Sequence, residues 1–353
     1  MKKVLLSLTA LVALSTSAFA EGTLVKSKAP VLKFSGKHYL GFVSNDNSIA
    51  DETTNAFETR RNYFQVKAYF AEDPKDYFRI TMDTHHINDG KDVVGGDTHG
   101  TWNVRLKYAY LYLNNVLPFT GVEIGQAHRP WIDYEEHGGW NYRSISKVFV
   151  EDGRGAHLTN SADIGVNFKT KTENFSSELG LFNGEGYHGD EDGEGLSAEW
   201  RLTYHALGGG TQKSKANHTY ANFSFLGQLN ADSNKHKNED LNWMGIHGVY
   251  NQPEVLLSAQ YITTNDANSA YAGSGYSANG EYRVAPKWNI IGRYDFFEMD
   301  ENKEEKTRMI AGVTYRYNKN VEFIANVLTE EVEDTSGTTK DDTALMLTAE
   351  INW

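Results

Sequence analysis

Apolar and polar residues alternate with a period of two in sixteen separate segments of the chain, which predicts strands with one face apolar and the other polar. The segments run Val31–Val43, Phe57–Phe70, Tyr77–His85, Val104–Leu113, Val122–His128 and Ala162–Lys169. They continue with Phe175–Phe182, Ser197–His205, Tyr220–Leu229, Trp243–Tyr250, Val255–Thr263 and Gly275–Val284. The last four are Trp288–Phe297, Thr307–Tyr317, Val321–Leu328 and Thr343–Trp353. Glycine interrupts the alternation in the segments at Val122 and Trp243. Beyond Ala20 no stretch stays apolar for even ten residues, well short of the ~20 a membrane-crossing helix needs. The fold class expected is therefore all-β, an antiparallel transmembrane barrel of about sixteen strands. Such a closed sheet can cross a bilayer because it pairs every backbone polar group internally.

The connections support closure into a barrel. Short ones, Ala71–Lys75, Thr170–Asn174, Asn251–Glu254, Ala285–Lys287 and Asn318–Asn320, alternate with longer stretches rich in Gly, Asp, Asn and Glu. Short turns on the periplasmic side and long loops outside are the habit of outer-membrane barrels, and an even strand count puts both termini in the periplasm. Ala206–Thr219 is too long for this scheme and is where the strand count is most open. Strand phase follows from charge. In the second segment Phe64, Val66, Ala68 and Phe70 face lipid while Arg61, Tyr63, Gln65, Lys67 and Tyr69 face inward. In the fourteenth, Met309, Ala311, Val313, Tyr315 and Tyr317 face out, and Arg308, Thr314 and Arg316 face in. A slip of one residue would move charges into hydrocarbon at roughly 2–4 kcal/mol each near the midplane. Tyr69, Tyr112, Tyr250, Tyr282, Trp288 and Tyr317 stand near strand ends, as an interfacial aromatic girdle would.

Composition fits this picture: 20 Tyr, 17 Phe and 7 Trp accompany only 6 Pro and no Cys. The absence of cysteine excludes thiolate chemistry and Cys-ligated metals. Met1-Lys2-Lys3, the apolar run Val4–Leu14 and Ala18-Phe19-Ala20 read as a secretory signal peptide, residues 1–20, removed to leave a barrel of residues 21–353. The formal charge is −13, and −15 once Lys2 and Lys3 are gone. With no basic tract, nucleic acid is not an expected partner. The chain ends on Leu347–Trp353, an alternating strand closed by an aromatic. That ending resembles the signal by which the barrel-assembly machinery recognises outer-membrane strands, although a last strand of a soluble sandwich can look similar.

From the second strand to the sixth the chain resembles the phosphate-selective porin O/P family. Arg60-Arg61 opening a long strand is similar to that family's paired arginines, and Ala109-Tyr110 to its A-Y strand. Gly125-Gln126-Ala127-His128-Arg129-Pro130-Trp131 resembles its G-Q-x-K-x-P-F run, with His128 at the lysine and Trp131 at the phenylalanine. Asp163-Ile164-Gly165-Val166 resembles its D-I-G-V strand. The resemblance covers Phe57 to Phe168, about a third of the mature chain. It implies a sixteen-stranded homotrimeric porin with an inward-folded third loop and basic residues guiding anions. Two departures bear on phosphate: Glu151 is followed by Asp152 where the family tends to carry E-R, and His128 is mostly neutral near pH 7.

On that reading the longest connection, residues 129–161, is the candidate constriction loop. Trp131, Asp133, Glu135, Trp140 and Arg143 are its site residues, accompanied by Tyr134, Glu136, His137, Tyr142, Glu151, Asp152 and Arg154. Its aromatics would be poorly placed in water and can pack on a barrel wall. The expected pore-lining residues of the anion pathway are Arg61, Lys67, Arg79, Arg105, Lys107 and Arg129. Inward positions hold twelve bases and nine acids, a small positive excess in an acidic chain. Rings of Arg and Lys favour anions, while salt bridges that only stiffen the wall are the alternative.

The acidic stretches Gly184–Gly195, Glu298–Lys306 and Thr329–Asp342 read as solvated charge runs, and outer-membrane lipid and lipopolysaccharide are expected partners of the barrel. Asp190, Glu191, Asp192 and Glu194 lack the spacing of a calcium loop, so no metal and no cofactor is expected. His85-His86 with Asp83 and Asp89 comes without a hydrolase or metalloprotease motif, and an enzyme is not expected. The function expected is passive diffusion of small hydrophilic solutes, leaning to anions such as phosphate. A general, cation or sugar porin and an adhesin-like structural barrel are the alternatives.

Overall fold

The computed structural model describes residues 30–47, 52–70, 73, 75–87, 101–189, 195–233, 239–267, 271–301, 303–333 and 336–353. The expected signal peptide and the cluster Asp190–Glu194 lie outside them. Sixteen strands form one closed antiparallel barrel in which each strand pairs with its neighbours in sequence and β1 pairs with β16. The first eight are β1 (Val31–Asn47), β2 (Glu52–Tyr69), β3 (Tyr77–Ile87), β4 (Thr101–Leu117), β5 (Thr120–His128), β6 (Ala162–Lys171), β7 (Phe175–Phe182) and β8 (Ser197–Leu207). The others are β9 (Tyr220–Ser233), β10 (Glu239–Gln252), β11 (Val255–Ala267), β12 (Gly273–Ala285), β13 (Trp288–Met299), β14 (Glu305–Arg316), β15 (Val321–Glu333) and β16 (Thr339–Asn352). One short helix, α1 (Ile132–Gly138), follows β5. No described helix is long and apolar enough to cross a membrane.

All sixteen expected segments fall on strands, but most strands run further than the alternation does, chiefly at the end bearing the longer connections. β15, for instance, continues from Leu328 to Glu333. Beyond the hydrocarbon slab an outward residue need not be apolar, so the two-residue period fades while the backbone ladder continues. Several stretches expected as long loops are thereby absorbed into strands. Residues 206–219 cost no strand: β8 ends at Leu207, β9 starts at Tyr220, and the segment between them is a genuine long connection.

The two faces sort by polarity. In β16, Leu345 and Leu347 are each 51% exposed, while Met346 between them and Thr348 and Glu350 beyond them are buried inward. The barrel closes where Gly36 and Trp353 exchange backbone hydrogen bonds of 2.9 and 3.0 Å. The Trp353 indole lies so near that a Cβ at Gly36 would sit 2.5 Å from it.

Two β-bulges alter the expected phase. Tyr39 faces Arg61 but Leu40 faces Thr59, which makes Arg60 an extra residue in β2. Thr81 faces Tyr108 but Met82 faces Leu106, which makes Lys107 extra in β4. A bulge sets two residues against one and re-aims those that follow. Tyr108, Tyr110 and Tyr112 consequently share the inner face. Tyr112, expected in the girdle, instead packs on Tyr77 at a ring distance of 5.1 Å, next to Tyr69, which keeps its expected inward phase at 5.4 Å from the same ring. Strict alternation misplaces Tyr112 because it carries the phase of Arg105 straight through the bulge. Tyr250, Tyr282, Trp288 and Tyr317 are exposed on the outer face, as a girdle requires.

Candidate functional site

Five of the six bases expected to line the pore lie together: Arg61 and Lys67 on β2, Arg79 on β3, and Arg105 and Lys107 on β4, three adjacent strands. Register divides them into two groups. Asp83 on β3 lies opposite Tyr63 on one side and Arg105 on the other. Its carboxylate, 0% exposed, accepts from Arg61 at 2.5 Å and from Arg105 at 3.1 Å. The wall is therefore less uncompensated than its strand phase implies. Among the described residues no carboxylate forms an ion pair with Lys67, Arg79 or Lys107. Tyrosines take that place. Lys67 lies 4.4 Å from the Tyr77 ring and Arg79 4.4 Å from that of Tyr108. Lys107 donates to Tyr63 Oη at 3.1 Å. A cation on an aromatic face keeps its charge, whereas an ion pair cancels it.

Residues 129–161 have a frame of their own. Arg129 N donates to Ser161 O (3.3 Å) at the neck, and Ala156 and Leu158 return hydrogen bonds to Phe149 and Val150. Trp131, Ile132, Trp140, Val148, Phe149 and Val150 join one buried apolar cluster with Leu226, Trp243, Ile262, Ile291, Phe297, Ile310, Ile324 and Met346, inward residues of β9–β16. Each fully buried side chain of this size contributes about 2 kcal/mol. Polar contacts reach the same strands: Arg293 donates to Lys147 O (2.8 Å), Asn289 to Tyr142 Oη (3.3 Å) and Arg308 to Asp152 (2.5 Å). From β2, Arg60 donates to Ser144 O (3.1 Å) and to Thr348 Oγ1 of β16 (2.7 Å). The sequence reading overlooked Arg60, because strict alternation admits only one of two adjacent residues to the inner face. The Arg60-Arg61 doublet was the available signal.

The candidate residues separate accordingly. Arg129 is buried in an ion pair with Glu199, Nε to Oε1 2.8 Å, away from open space. Trp131 and Trp140, 3% and 1% exposed, belong to the apolar cluster. Arg143 is held between Glu136 and Glu151, the latter at 2.9 Å. A cavity of about 340 Å³ remains between the loop and the wall. Its lining includes Lys37, Tyr39, Tyr63, Arg79, Thr81, Lys107, Tyr108 and His128 from the strands, and Asp133, Glu136, His137 and Arg143 from the loop. Charge of both signs thus borders the space, but Asp133 is the loop acid that no Lys or Arg pairs with. Its neighbours are His137 (3.6 Å) and His128 (3.8 Å). The nearby wall acid Glu123 is engaged by His128 and Lys169 at 3.1 and 3.3 Å. Such a passage can hold small hydrated anions against two uncompensated cations and several phenol hydroxyls. Among the described residues no group of His, Asp and Glu is placed to hold a metal ion.

Glu135 is a loop acid sealed from water. It is 0% exposed and accepts from Trp131 Nε1 (2.7 Å) and from Gln260 on β11. Burial pushes its carboxyl up to about 7, against the opposing pull of Arg293 and of these two donors. The docked loop therefore holds a proton between the ordinary 4.5 and about 7, so docking weakens as pH rises through that window. Protease cleavage between residues 139 and 161 is expected to quicken from pH 5 to pH 8 relative to Glu135→Gln at each pH. Equal pH profiles for the two proteins would refute this.

The closed barrel has many solved counterparts, among them three that share little sequence with it. An anion-selective porin from Comamonas acidovorans superposes with a TM-score of 0.63 at 11% identity, covering 92% of this chain and 99% of the other. The trimer form of the outer membrane protein OmpT of Vibrio cholerae gives 0.62 at 11%, covering 92% and 100%. OprB of Pseudomonas putida gives 0.62 at 11%, covering 91% and 94%. At such identities the likeness speaks for the fold alone. A comparison with curated protein sequences gives no significant match. The sequence profile of the Gram-negative porins matches residues 7–335. With nearly its whole length inside that match and a sixteen-stranded barrel to carry it, the chain belongs to the Gram-negative porin family and to the outer membrane.

Proposed function

We propose that the protein is a passive channel, not an enzyme, whose residues 129–161 fold into the lumen as the constriction and whose wall favours anions. The observation that carries the reading is the lack of any acidic partner, among the described residues, for Lys67, Arg79 and Lys107, the last two lining a cavity whose loop acid Asp133 meets no Lys or Arg. Uncompensated bases in a narrow aqueous passage attract counter-ions and repel cations. Contacts from residues 129–161 to β2 on one side and to β10–β14 on the other support a loop that crosses the barrel. A sugar-selective constriction is less well supported, since Trp131 and Trp140 are buried and offer no stacking face. Phosphate is the anion suggested by the resemblance of Phe57–Phe168 to the phosphate-selective family. A homotrimer, export by the segment 1–20, assembly through the strand ending at Trp353 and contact with lipopolysaccharide complete the proposal.

The test is the reversal potential of the purified protein in a planar bilayer under a potassium chloride gradient. Anion preference is expected, and the triple variant Lys67→Gln, Arg79→Gln, Lys107→Gln should lose most of it. Cation preference in the unaltered protein would sink the anion reading and leave a general porin. Absence of conductance would sink the channel itself.

A further inference from the structure

The connection between β8 and β9 stands out at the end of the barrel that otherwise carries short turns. It reverses at Gly208 and Gly209, whose φ of +89° and +74° suit glycine. Gly210 N is tied back to Glu173 O in the neighbouring turn. The segment then runs across the barrel and not away from it. Asn251, an inward and fully buried residue of β10, donates its amide to the carbonyls of Lys215 and Ala216 at 3.3 Å and to that of His218. Arg283 on β12 donates to Ala216 O at 3.2 Å. At its end, Tyr220 Oη donates to Gly138 O, the last residue of α1, at 3.1 Å. A Cβ placed on Gly138 would lie 3.5 Å from Ser214 Oγ and 3.9 Å from Ser214 Cβ.

A loose surface turn makes no such contacts. Three loop carbonyls, those of Lys215, Ala216 and His218, converge on the two N–H donors of one buried amide, which lessens their need for water. From these contacts we infer that residues 208–219 fold back into the barrel, seat beneath the end of α1 and floor the lumen along β8–β12. Solute passage is thereby confined to the side walled by β1–β4. This rests on the reading of residues 129–161 as a loop inside the lumen. It adds that a second segment, entering from the opposite end, meets that loop and makes the basic wall unavoidable for the solute. Lys213 and Lys215, exposed on this floor, extend the positive lining toward the exit.

The chain has no cysteine, so pairs can be introduced cleanly. A disulfide needs Cβ atoms about 3.5–4.5 Å apart, a span that Gly138 and Ser214 meet. In the full-length protein Gly138→Cys with Ser214→Cys is expected to close on oxidation, read by gel mobility with and without reductant and by thiol count. Gly139→Cys with Ser258→Cys tests the loop reading separately, because Ser258 Oγ on β11 lies 3.2 Å from a Cβ at Gly139. Closure of the second pair with free thiols in the first overturns the floor and spares the loop. Free thiols in both overturn the two together. Replacing residues 209–218 by Asn-Gly, or Asn251 by Ala with the chain length kept, is expected to raise single-channel conductance and weaken ion preference. Unaltered conductance in Asn251→Ala, with the first pair closing in the parent, would refute the confinement.

Discussion

Arg308→Met is expected to loosen residues 129–161 from the barrel wall while the strands stay closed. Arg308 on β14 is 1% exposed and joins Asp295 on β13, Nε to Oδ2 2.8 Å, to the loop's Asp152 at 2.5 Å. Removing one member of a buried ionic group strands the others in low dielectric, at about 3–5 kcal/mol. Asp295 keeps Arg293 at 2.8 Å, so the loss falls mainly on Asp152. That carboxylate does more than pair. It accepts from the backbone of Lys147 and of Arg154, each at 3.1 Å, and so fixes the turn between Val148 and Gly155. The flexible, unbranched methionine refills part of the space that the arginine leaves, so the charge is the main variable under test. Protease cuts confined to residues 140–160 and a lower unfolding temperature are expected, with the barrel's heat-dependent gel shift retained. Adding Asp152→Asn should recover part of the loss. Full protease resistance in Arg308→Met would show that the apolar cluster alone holds the loop.

Asp83→Asn is expected to move ion selectivity in the direction opposite to neutralising the wall bases. The carboxylate compensates Arg61 and Arg105 at once and is wholly buried. Without it two more guanidinium groups stand uncompensated beside Lys107, and the reversal potential should shift further toward that of a purely anion-permeable pore. The shift should be largest in dilute salt, where the screening length exceeds ~10 Å, and should shrink toward 1 M, where it is about 3 Å. Stability is expected to fall as well, since the like charges of Arg61 and Arg105 then meet without an intervening acid. A shift toward cations would mean that charges other than this wall govern permeation.

Both expectations depend on features that differ in how far the sequence disclosed them. Sixteen strands, most of their inner and outer faces, a last strand ending on Trp353 and the basic character of β2–β4 are legible in one dimension. A bilayer permits no unpaired backbone and no outward charge, so each strand must write its own alternation into the sequence. The resemblance across Phe57–Phe168 led to the same barrel, while the profile that spans the chain is the broader Gram-negative porin family.

What alternation cannot carry is the relation between strands. Whether Arg61 and Arg105 are free or paired depends on the register that sets Asp83 between them. The inward turn of Arg60, Tyr108 and Tyr112 depends on two single-residue bulges. Arg129 looked like a pore residue because its type is right, yet Glu199, seventy positions on, neutralises it. The docking of residues 129–161 on strands as distant as β14, and the seating of residues 208–219 under α1, join parts of the chain that share no local pattern. The sequence by itself therefore determined the barrel and the chemistry of its wall, because membrane insertion constrains every strand singly. Only the tertiary structure decided which charges remain uncompensated, because that follows from partners that register, bulges and loop packing bring together.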